Sequence, residues 1–435
     1  MAKIVNVIGG GLAGCEAAYQ LSKRGITVCL YEMKPKVFSP AHHMESLAEI
    51  VCSNSLKSEE KSTASGTLKD ELEVLDCLLL KIARECKVPA GSALAVDREL
   101  FTTKVTEEIK KLENVTIINE EFVSIDTSVP TIIATGPLTS DNFAKSIFEL
   151  LGDESLYFFD ASAPIIDSQS IDYNKTFSSG RYGKGESDYV NCPMNKDEYY
   201  SFINELVTAE RVQLKDFENV EVFEGCMPIE VMASRGEDTL RFGPLRPVGL
   251  RDNDGNRPFA VVQLRRENIS SDLYNIVGFQ TNLTFGEQKR VFSMIPALKN
   301  AEFVKYGVMH RNTYINSPKH LNPDFSMKNN PLIFFAGQIS GVEGYVESIA
   351  SGLICGINMA RKLEGKQYCV PNNKTIIGAL CLHISTPVPD FQPMNANFGI
   401  LEPLDKIVKD KHQRKLEYNA RSVENINEYK ENTEW

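Results

Sequence analysis

The stretch Ile4-Val-Asn-Val-Ile-Gly-Gly-Gly-Leu-Ala-Gly14 decides the fold of this chain. It begins with an almost wholly apolar run, which is typical of a strand buried inside a parallel sheet. The G-x-G-x-x-G spacing follows, and then come a helix-forming stretch, Glu16–Lys23, and a second apolar strand, Ile26–Tyr31. This order predicts a βαβ unit of the Rossmann type, whose turn binds the diphosphate of a dinucleotide.

The turn residues and one acid downstream are the predicted contacts to that dinucleotide. Gly9 allows a tight turn, Gly11 lacks the Cβ that would block the diphosphate, and Gly14 lets the helix pack close to the sheet. The start of the helix offers unpaired N–H groups and the positive end of its dipole to the phosphates. Glu32, after the second strand, is positioned to accept hydrogen bonds from ribose hydroxyls. The predicted contact residues are Gly9, Gly10, Gly11, Leu12, Ala13, Gly14 and Glu32.

A second strand and glycine-rich turn, near the carboxyl end of the chain, favour FAD over NAD as the dinucleotide. Leu332–Ala336 is predicted to be a buried strand, and it leads into a turn with Gly337, Gln338 and Gly341 before a helix rich in small residues. Thr131–Pro137 resembles the strand end of flavoproteins with two dinucleotide-binding folds. In the alternative interpretation these segments are ordinary α/β loops. Their order along the chain instead predicts a flavin site that Gly337, Gln338 and Gly341 complete.

The two parts of this predicted site lie near opposite ends of the chain. Between them, Gly/Pro turns separate predicted strands at Val220–Phe223, Phe259–Leu264 and Tyr274–Phe279. We therefore predict an α/β fold in which a discontinuous Rossmann-type FAD-binding domain, residues 1–159 and 310–435, carries an inserted α+β domain, residues 160–309. The inserted domain is expected to bind the substrate.

Length, charge and hydropathy limit the class of protein. The 435 residues suffice for more than one domain, and neither a signal peptide nor a membrane-spanning stretch is recognisable, so a cytoplasmic protein without membrane contacts is expected. The net charge of −11 argues against nucleic-acid binding by the whole surface, and no DNA partner is expected. Residues 231–266 nevertheless hold seven arginines against four acids, a local charge of +3 that is compatible with a local basic patch in this arginine-rich segment. The acidic carboxyl end is predicted to be a frayed helical tail.

The ten cysteines contain no C-x-x-C pair, so no metal site or thioredoxin-type motif is predicted. Most of them should be buried thiols. Cys226 lies on a sharp turn between Gly225 and Pro228, where a thiol is either a nucleophile or a structural residue. Cys192 is a weaker case of the same kind. Cys52 marks the corner between an apolar and a small polar stretch, where a thiol is either reactive or simply buried.

Several basic side chains are candidate substrate contacts. His42 and His43 lie in a polar loop, where they either orient a substrate or the flavin pyrimidine or face solvent. His310 and Arg311 are predicted in a turn, and the Arg311 guanidinium either grips a carboxylate or phosphate or forms a surface salt bridge. Arg181 begins a short basic and aromatic segment that is suited to a base or a pterin ring, unless it is a solvated loop.

Motifs along most of the chain resemble the TrmFO family, the folate- and FAD-dependent tRNA (uracil-5-)-methyltransferases. The match runs from the first strand to about Gly399, and it is far more specific than the dinucleotide-binding turn alone. The matching motifs include Gly9-Gly-Gly-Leu-Ala-Gly, Pro40-Ala-His-His, Val51-Cys-Ser-Asn-Ser, Ala95-Val-Asp-Arg, Phe223-Glu-Gly-Cys-Met-Pro-Ile-Glu, Tyr306-Gly-Val-Met-His-Arg-Asn-Thr and Gly341-Val-Glu-Gly-Tyr.

This resemblance implies a reaction, its co-substrates and two catalytic thiols. Methylenetetrahydrofolate would donate a one-carbon unit to C5 of a uridine in the T-loop of tRNA, reduced FAD would supply a hydride, and NAD(P)H would reduce the flavin again. By the matching motifs, Cys226 attacks C6 of the uracil, while Cys52 lies beside the flavin and takes the C5 proton. A base in a folded RNA loop has to be extruded to reach these groups. The resemblance also implies that the inserted domain, residues 160–309, binds RNA and that the arginine-rich residues 231–266 contact its phosphates.

Four other interpretations stay open on the sequence. The same motifs would serve an enzyme that methylates a uridine of 23S ribosomal RNA. The larger flavoproteins that modify the tRNA wobble uridine share the FAD motifs but have longer chains. A flavin oxidoreductase acting on a small molecule would need neither the arginine-rich segment nor Cys226. A non-catalytic RNA-binding flavoprotein would survive the loss of both cysteines.

Overall fold

The computed structural model describes residues 4–152, 156–181, 188–213 and 227–433, which contain both strands and helices. The strands are β1 (Ile4–Ile8), β2 (Thr27–Tyr31), β3 (Ser55–Ser58), β4 (Lys87–Val88), β5 (Ala93–Val96), β6 (Val115–Ile118), β7 (Thr131–Ile133), β8 (Leu156–Ala161), β9 (Ile165–Asp167), β10 (Phe177–Ser178), β11 (Tyr189–Met194), β12 (Ala260–Arg266), β13 (Leu273–Ile276), β14 (Phe303–Lys305), β15 (Met309–Tyr314) and β16 (Ile333–Phe335). The helices are α1 (Leu12–Lys23), α2 (Ala64–Val74), α3 (Leu78–Glu85), α4 (Arg98–Lys110), α5 (Asp141–Leu151), α6 (Lys196–Thr208), α7 (Ile229–Ser234), α8 (Thr239–Phe242), α9 (Phe285–Phe292), α10 (Ser317–His320), α11 (Tyr345–Leu363), α12 (Ile376–His383) and α13 (Lys411–Asn432).

A five-stranded parallel sheet, in the order β16-β7-β1-β2-β6, confirms the predicted Rossmann-type fold. Strand β1 is central because it pairs with β2 on one edge and with β7 on the other, and its Val5 and Val7 side chains have no solvent exposure. Its neighbours come from residues far apart in the sequence, since Asn6 pairs with Thr131 on one side and with Cys29 on the other. The carboxyl ends of the parallel strands consequently meet at one edge of the sheet.

Helices α1 and α11 cross so closely that only glycine fits at the contact. A Cβ atom added to Gly352 would lie 2.2 Å from the carbonyl oxygen of Ala13, and one added to Gly356 would lie 2.8 Å from that of Ala17. The two glycines explain the small-residue composition that the sequence shows after its second glycine-rich turn. The crossing brings the amino ends of both helices to the same edge of the parallel sheet.

A second sheet of six strands, in the order β10-β11-β12-β13-β9-β14, forms the centre of the middle segment. It is antiparallel, and Val262 and Leu264 of β12 point from one of its faces into an apolar core under α6 and α9. The strand predicted at Phe259–Leu264 corresponds to β12. The one predicted at Tyr274–Phe279 ends earlier, at Ile276, because the chain turns at residues 277–278. The strand predicted at Val220–Phe223 lies outside the described residues.

Strands β8 and β15 connect the two sheets by pairing antiparallel beside the predicted domain boundaries. The boundaries at residues 159/160 and 309/310 stay a prediction. The turn predicted at His310 and Arg311 is wrong, because both residues belong to β15, where His310 pairs with Asp160 and Arg311 with Phe159. A regular ladder there satisfies the backbone groups that a turn would leave to solvent.

The carboxyl end forms a docked helix, so the predicted frayed tail is wrong. Asp410 caps α13 by accepting a hydrogen bond from Gln413, and one face of the helix is buried against α2. On that face the Ser422 hydroxyl donates to the buried Glu71 carboxylate, and the Asn419 amide donates to Asp70 at 2.8 Å. The acidic composition therefore belongs to the outer face of an ordered helix. No helix among the described residues combines the length and the apolar character needed to cross a membrane.

The close crossing of α1 and α11 predicts that replacing Gly352 lowers the stability of the fold. Gly352→Ala adds a methyl group where backbone already lies 2.2 Å away, so we expect it to lower the free energy of unfolding by about 1–3 kcal/mol. Gly286→Ala is the matched control, because a Cβ there meets nothing within 4 Å and α9 gains a better helix former. Urea unfolding followed by circular dichroism measures both variants, and equal stabilities would contradict the role of the crossing.

Candidate functional site

A cavity opens at the carboxyl edge of the parallel sheet, where doubly wound folds bind their ligands. Its walls come from four strand ends and from the amino ends of α1 and α11, and we name it the glycine-loop cavity. The lining residues include Gly9, Gly10, Gly11, Leu12, Ala13, Glu32, His42, Val51, Thr135, Gly136, Gly337, Gln338, Tyr345 and Ser348. The two sequence segments predicted to share one site, at opposite ends of the chain, are therefore neighbours in the fold.

The three glycines of the first turn differ in what surrounds them. Gly9 has a φ of +103°, and a Cβ there would lie 2.6 Å from the carbonyl oxygen of Ala134, so the turn requires glycine. A Cβ on Gly14 would lie 1.9 Å from the carbonyl oxygen of Gly9, which lets α1 start directly against the strand. A Cβ on Gly11 would meet no atom within 4 Å, because the residue faces the cavity. The open space beside Gly11 is where a ligand can approach the backbone.

Glu32 is held at the rim of this cavity by two backbone groups. Its Oε2 atom accepts a hydrogen bond from the Gly10 N–H at 2.9 Å, and Oε1 accepts one from the Lys34 N–H at 3.0 Å. The side chain is buried, and each oxygen keeps a second lone pair. Such a carboxylate can accept the hydroxyls of a ribose, and no side chain of the described residues caps α1, so its first N–H groups are available to phosphate. The cavity therefore fits a dinucleotide such as FAD.

The second glycine turn contributes unequally to the cavity. Gly337 and Gln338 line it. Gly341 instead packs against the Phe391 ring, because a Cβ added to Gly341 would lie 2.3 Å from that ring. Glu343, which the sequence analysis did not single out, is buried and accepts a hydrogen bond from the Gln338 amide at 2.9 Å. Burial, reinforced by the charge of Asp160, raises the pKa of Glu343 to about 8.

The basic residues predicted to contact the substrate lie in different places. His42 lines the glycine-loop cavity, and its Nδ1 atom lies 2.6 Å from the Ser39 hydroxyl, whereas His43 is exposed. The Arg311 guanidinium lies over the Tyr157 ring at 4.5 Å on the surface of β15. Arg181 is inside the middle segment. Its guanidinium donates to the Gln263 amide oxygen at 3.0 Å and to the Val248 carbonyl at 2.9 Å.

Cys52 lies in the wall between two cavities. Val51 lines the glycine-loop cavity, while Cys52 and Ser53 line a second one, which we name the Cys52 cavity. The Tyr345 hydroxyl fixes this wall by accepting the N–H groups of Cys52 at 2.9 Å and of Ser53 at 3.2 Å. The Cys52 thiol lies 3.6 Å from the Ala161 carbonyl oxygen. The segment therefore belongs to both sites at once.

The Cys52 cavity joins the amino-terminal domain to the middle segment. Residues from the Cys52 loop and from the second sheet share its lining, which includes Cys52, Ser53, Ala163, Met227, Met232, Pro244, Arg265, Asn275, Val277, Gly278 and Gln280. Cys226, the other predicted catalytic thiol, lies outside the described residues, but the next residue along the chain, Met227, is part of this lining.

Arg265 clamps the Cys52 loop from the second sheet. Its Nε atom donates to the Asn54 amide oxygen at 3.0 Å, and its Nη2 atom donates to the Ser53 hydroxyl at 2.8 Å. The Asn54 amide in turn donates to the Arg266 carbonyl at 3.0 Å. Arg265 is buried, so this arginine of the basic segment is not available to phosphate. The bonds tie a loop of one domain to a strand of the other.

Arg98, at the start of α4, holds the other end of the same loop. Its Nη1 atom donates to the carbonyl oxygens of Ile50 at 3.0 Å and of Val51 at 3.2 Å. Its Nε atom forms an ion pair with the buried Glu267 carboxylate, which follows β12. Burial raises the pKa of Glu267, and the neighbouring arginines oppose that effect. The loop is thus held by two guanidinium groups.

The polar face of the second sheet is a feature that the sequence analysis missed. Gln263 and Arg265 of β12 point to this face, and Asn191 and Asn275 join them from the adjacent strands. All four side chains are buried. The signal was present in the alternation Val262-Gln-Leu-Arg of β12, which puts a polar side chain at every second position. Alternation alone predicts a solvent-facing side, and only the tertiary structure shows that another domain covers it.

Most cysteines are structural, as predicted. Six of the nine within the described residues are buried, and Cys192 lies in β11 with its side chain in the apolar core. The weaker candidate for a nucleophile on a turn, Cys192, is therefore wrong, because the residue lies in a buried strand, where burial also raises the pKa of its thiol. Cys52 differs from these because it is partly exposed and borders a cavity.

Known proteins match nearly the whole chain. The family model described as glucose inhibited division protein A matches residues 4–367. A methylenetetrahydrofolate--tRNA-(uracil-5-)-methyltransferase TrmFO of Acetivibrio thermocellus is 56% identical over 99% of both chains, and one of Bacillus cytotoxicus is 54% identical over 98% of this chain and 99% of its own. The chain belongs to the TrmFO family. GidA of Aquifex aeolicus is similar in fold, with a TM-score of 0.70 at 15% identity over 99% of this chain and 74% of that protein.

The open space beside Gly11 predicts the effect of adding one methyl group to this TrmFO-family chain, by the substitution Gly11→Ala. Gly11 has a φ of −78°, which alanine adopts without strain, so Gly11→Ala should leave the stability of the apoprotein unchanged. Its Cβ would occupy the dinucleotide's approach path, and we expect FAD to bind at least about tenfold more weakly, or ~1.4 kcal/mol. Quenching of flavin fluorescence measures the affinity, with Gly286→Ala as control. Unchanged FAD affinity would contradict this assignment of the turn.

The raised pKa of Glu343 predicts that the stability of the fold depends on pH. Its pKa in the folded chain, about 8, is higher than the ordinary value of 4.5, so between these pH values the folded state binds more protons than the unfolded state. The contribution of Glu343 to stability is complete below about pH 4.5 and is lost as pH rises through about 8. We expect Glu343→Gln to gain stability relative to the parent chain between pH 5 and pH 8.5. Thermal unfolding across that range tests this, and a constant difference would contradict it.

Proposed function

We propose that this chain is an FAD-dependent methylenetetrahydrofolate--tRNA-(uracil-5-)-methyltransferase. Relatives of 56% and 54% identity carry that name over almost their whole length. The observation that carries the proposal is the shared wall, in which Val51 borders the glycine-loop cavity and Cys52 borders the next one. A reaction that combines a hydride donor with proton removal from a base needs two such sites in contact.

The glycine-loop cavity is the proposed FAD site. Gly10, Gly11 and Glu32 would hold the adenosine and diphosphate part, and Gly337 and Gln338 would line the rest. A bound, reduced FAD supplies the hydride that converts a methylene into a methyl group, for which no side chain is suited, and NAD(P)H is the proposed source of its electrons. The Tyr345 hydroxyl keeps the Cys52 loop against this cavity through its two accepted hydrogen bonds.

Cys226 is the proposed nucleophile. Addition of its thiolate to C6 of the uracil opens the C5–C6 double bond and moves the electron pair to C5, so that C5 can attack the one-carbon unit. The position of Met227 in the lining of the Cys52 cavity supports this role, because Cys226 is its neighbour in the chain. The two thiols would thus act on one pyrimidine ring.

Cys52 is the proposed base that takes the C5 proton. Its backbone is fixed by Tyr345, and the loop is held by Arg98 and Arg265, so that the thiol keeps one position relative to a base in the cavity. Such positioning is what a proton transfer within hydrogen-bond distance requires.

The RNA contact is proposed for the arginine-rich segment, residues 231–266. Four of its seven arginines are exposed, and exposed guanidinium groups can neutralise phosphates. Because the rest of the chain is acidic, we propose a localised and salt-sensitive contact to the T-loop of tRNA. The exposed arginines are Arg235, Arg246, Arg251 and Arg257.

A methylation assay tests the proposal directly. The purified chain is mixed with methylenetetrahydrofolate, NAD(P)H and either unmodified tRNA or fragments of 23S ribosomal RNA, and mass spectrometry locates any new methyl group. We expect 5-methyluridine in the T-loop of tRNA. Methylation of the ribosomal fragment alone would replace tRNA as the substrate, and consumption of NAD(P)H without any modified RNA would favour an oxidoreductase for small molecules.

Variants that lack one of the two cysteines should fail at different steps of the reaction. Cys226→Ala removes the group that adds to C6, so we expect neither methylation nor covalent capture of tRNA that carries 5-fluorouridine. Cys52→Ala leaves the nucleophile intact, so we expect captured RNA but a loss of turnover of about a hundredfold or more. Cys192→Ala is the control for a buried thiol outside both cavities. Capture by the Cys226 variant would remove the nucleophile assignment.

A further inference from the structure

Asn275 presents an unsatisfied hydrogen-bond donor beside the proposed catalytic thiol. The residue lies on β13 directly opposite Arg265, is only 3% exposed and lines the Cys52 cavity. Its Nδ2 atom is buried and has no hydrogen-bond partner among the described residues. A buried donor left without a partner destabilises the fold, so a group that accepts its hydrogen bond on binding gains affinity. The cavity beside the amide is where such a group can lie.

The neighbours of Asn275 cannot easily take over this role. The Nε and Nη2 atoms of Arg265 are engaged by Asn54 and Ser53. The amides of Asn191 and Gln263, on the same face, are also satisfied, since Asn191 donates to backbone carbonyls and Gln263 donates to Asn191. The amide of Asn275 is therefore a fully buried donor on this polar face that no described residue accepts.

The strand that carries Asn275 holds this amide in one place in the lining of the cavity. Asn275 is part of a strand, and the chain turns immediately after it at Gly278, where a Cβ would lie 2.5 Å from Pro244. Pro244 lines the same cavity. A donor on such a rigid wall selects a ligand by the position of its acceptor.

We propose that Asn275 donates a hydrogen bond to the C4 carbonyl oxygen of the target pyrimidine and thereby selects uracil over cytosine. The inference rests on the proposed function. Uracil carries an acceptor at C4, whereas cytosine carries an amino group there, which would meet the Asn275 N–H groups donor to donor. The same oxygen gains negative charge when a thiolate adds to C6, so the bond strengthens as the reaction proceeds.

Two substitutions of Asn275 test whether its side chain recognises the target base or only packs against its neighbours. Asn275→Ala removes the donor, and we expect kcat/KM for methylation of tRNA to fall by about a hundredfold. Asn275→Asp keeps the size of the side chain but offers an acceptor in place of the donor, so we expect a similar loss with uridine. Asn174→Ala, an exposed amide in the same segment, is the matched control and should retain the parent activity.

The decisive measurement compares the affinity of each protein for two transcripts, one with uridine and one with cytidine at the methylated position. We expect the parent chain to bind the uridine transcript at least about tenfold more tightly, Asn275→Ala to lose this preference, and Asn275→Asp to reverse it. The ratio of the two dissociation constants is independent of the fraction of folded protein, so a loss of stability does not mimic the result. A preference that persists in both variants would overturn the inference.

The same experiment distinguishes this inference from the proposed function. If the parent chain methylates no RNA, the proposed function fails. If the parent chain methylates tRNA and the Asn275 variants do so at the parent rate and with the parent preference, only the role of Asn275 fails. If the variants lose rate but keep the preference for uridine, the amide does not contact the C4 oxygen, and the inference is again overturned.

Discussion

The close crossing of α1 and α11 is the contact on which the remaining architecture depends. Gly352 and Gly356 let the two backbones approach to a distance that any side chain would prevent. Because each helix starts at the carboxyl edge of the same parallel sheet, their crossing brings two glycine turns, more than three hundred residues apart in the sequence, to one cavity. The available N–H groups at the start of α1 and the buried Glu32 carboxylate then face one common ligand site. Neither glycine turn forms this site alone.

The Cys52 loop shows how a second constraint is built on the first. Tyr345, the first residue of α11, accepts two N–H groups of the loop, so the crossing that forms the glycine-loop cavity also determines where the thiol lies. Arg98 and Arg265 both donate hydrogen bonds to the loop; Arg265 is buried among polar side chains, and Arg98, which is partly exposed, pairs with the buried Glu267. Buried charges of this kind are costly unless every group is paired, which is why such networks remain where geometry matters more than stability.

Much of this arrangement followed from the sequence because it is local. The βαβ unit, the glycine positions and Glu32 are determined by spacing within some thirty residues, and spacing is what a sequence displays. The docking of α13 was mispredicted, because its buried contacts with Glu71 and Asp70 are made by polar side chains that composition assigns to solvent. The strand position of Arg311 was also missed, since β15 pairs with residues about 150 positions earlier, and no local pattern encodes that pairing.

Polar and apolar side chains alternate along β12, yet the polar face of the second sheet is not exposed to solvent. An antiparallel sheet usually covers one face with core and leaves the other to water, and the second face is therefore polar. Here the Cys52 loop replaces the water beside Arg265, and Gln263 pairs with Arg181 and Asn191 of its own segment, whereas Asn275 keeps a donor that no described residue accepts. An ordinary domain interface would select against that donor, because an apolar side chain of similar size costs less to bury. Its presence next to a cavity and a thiol is best understood if the missing acceptor arrives with the substrate.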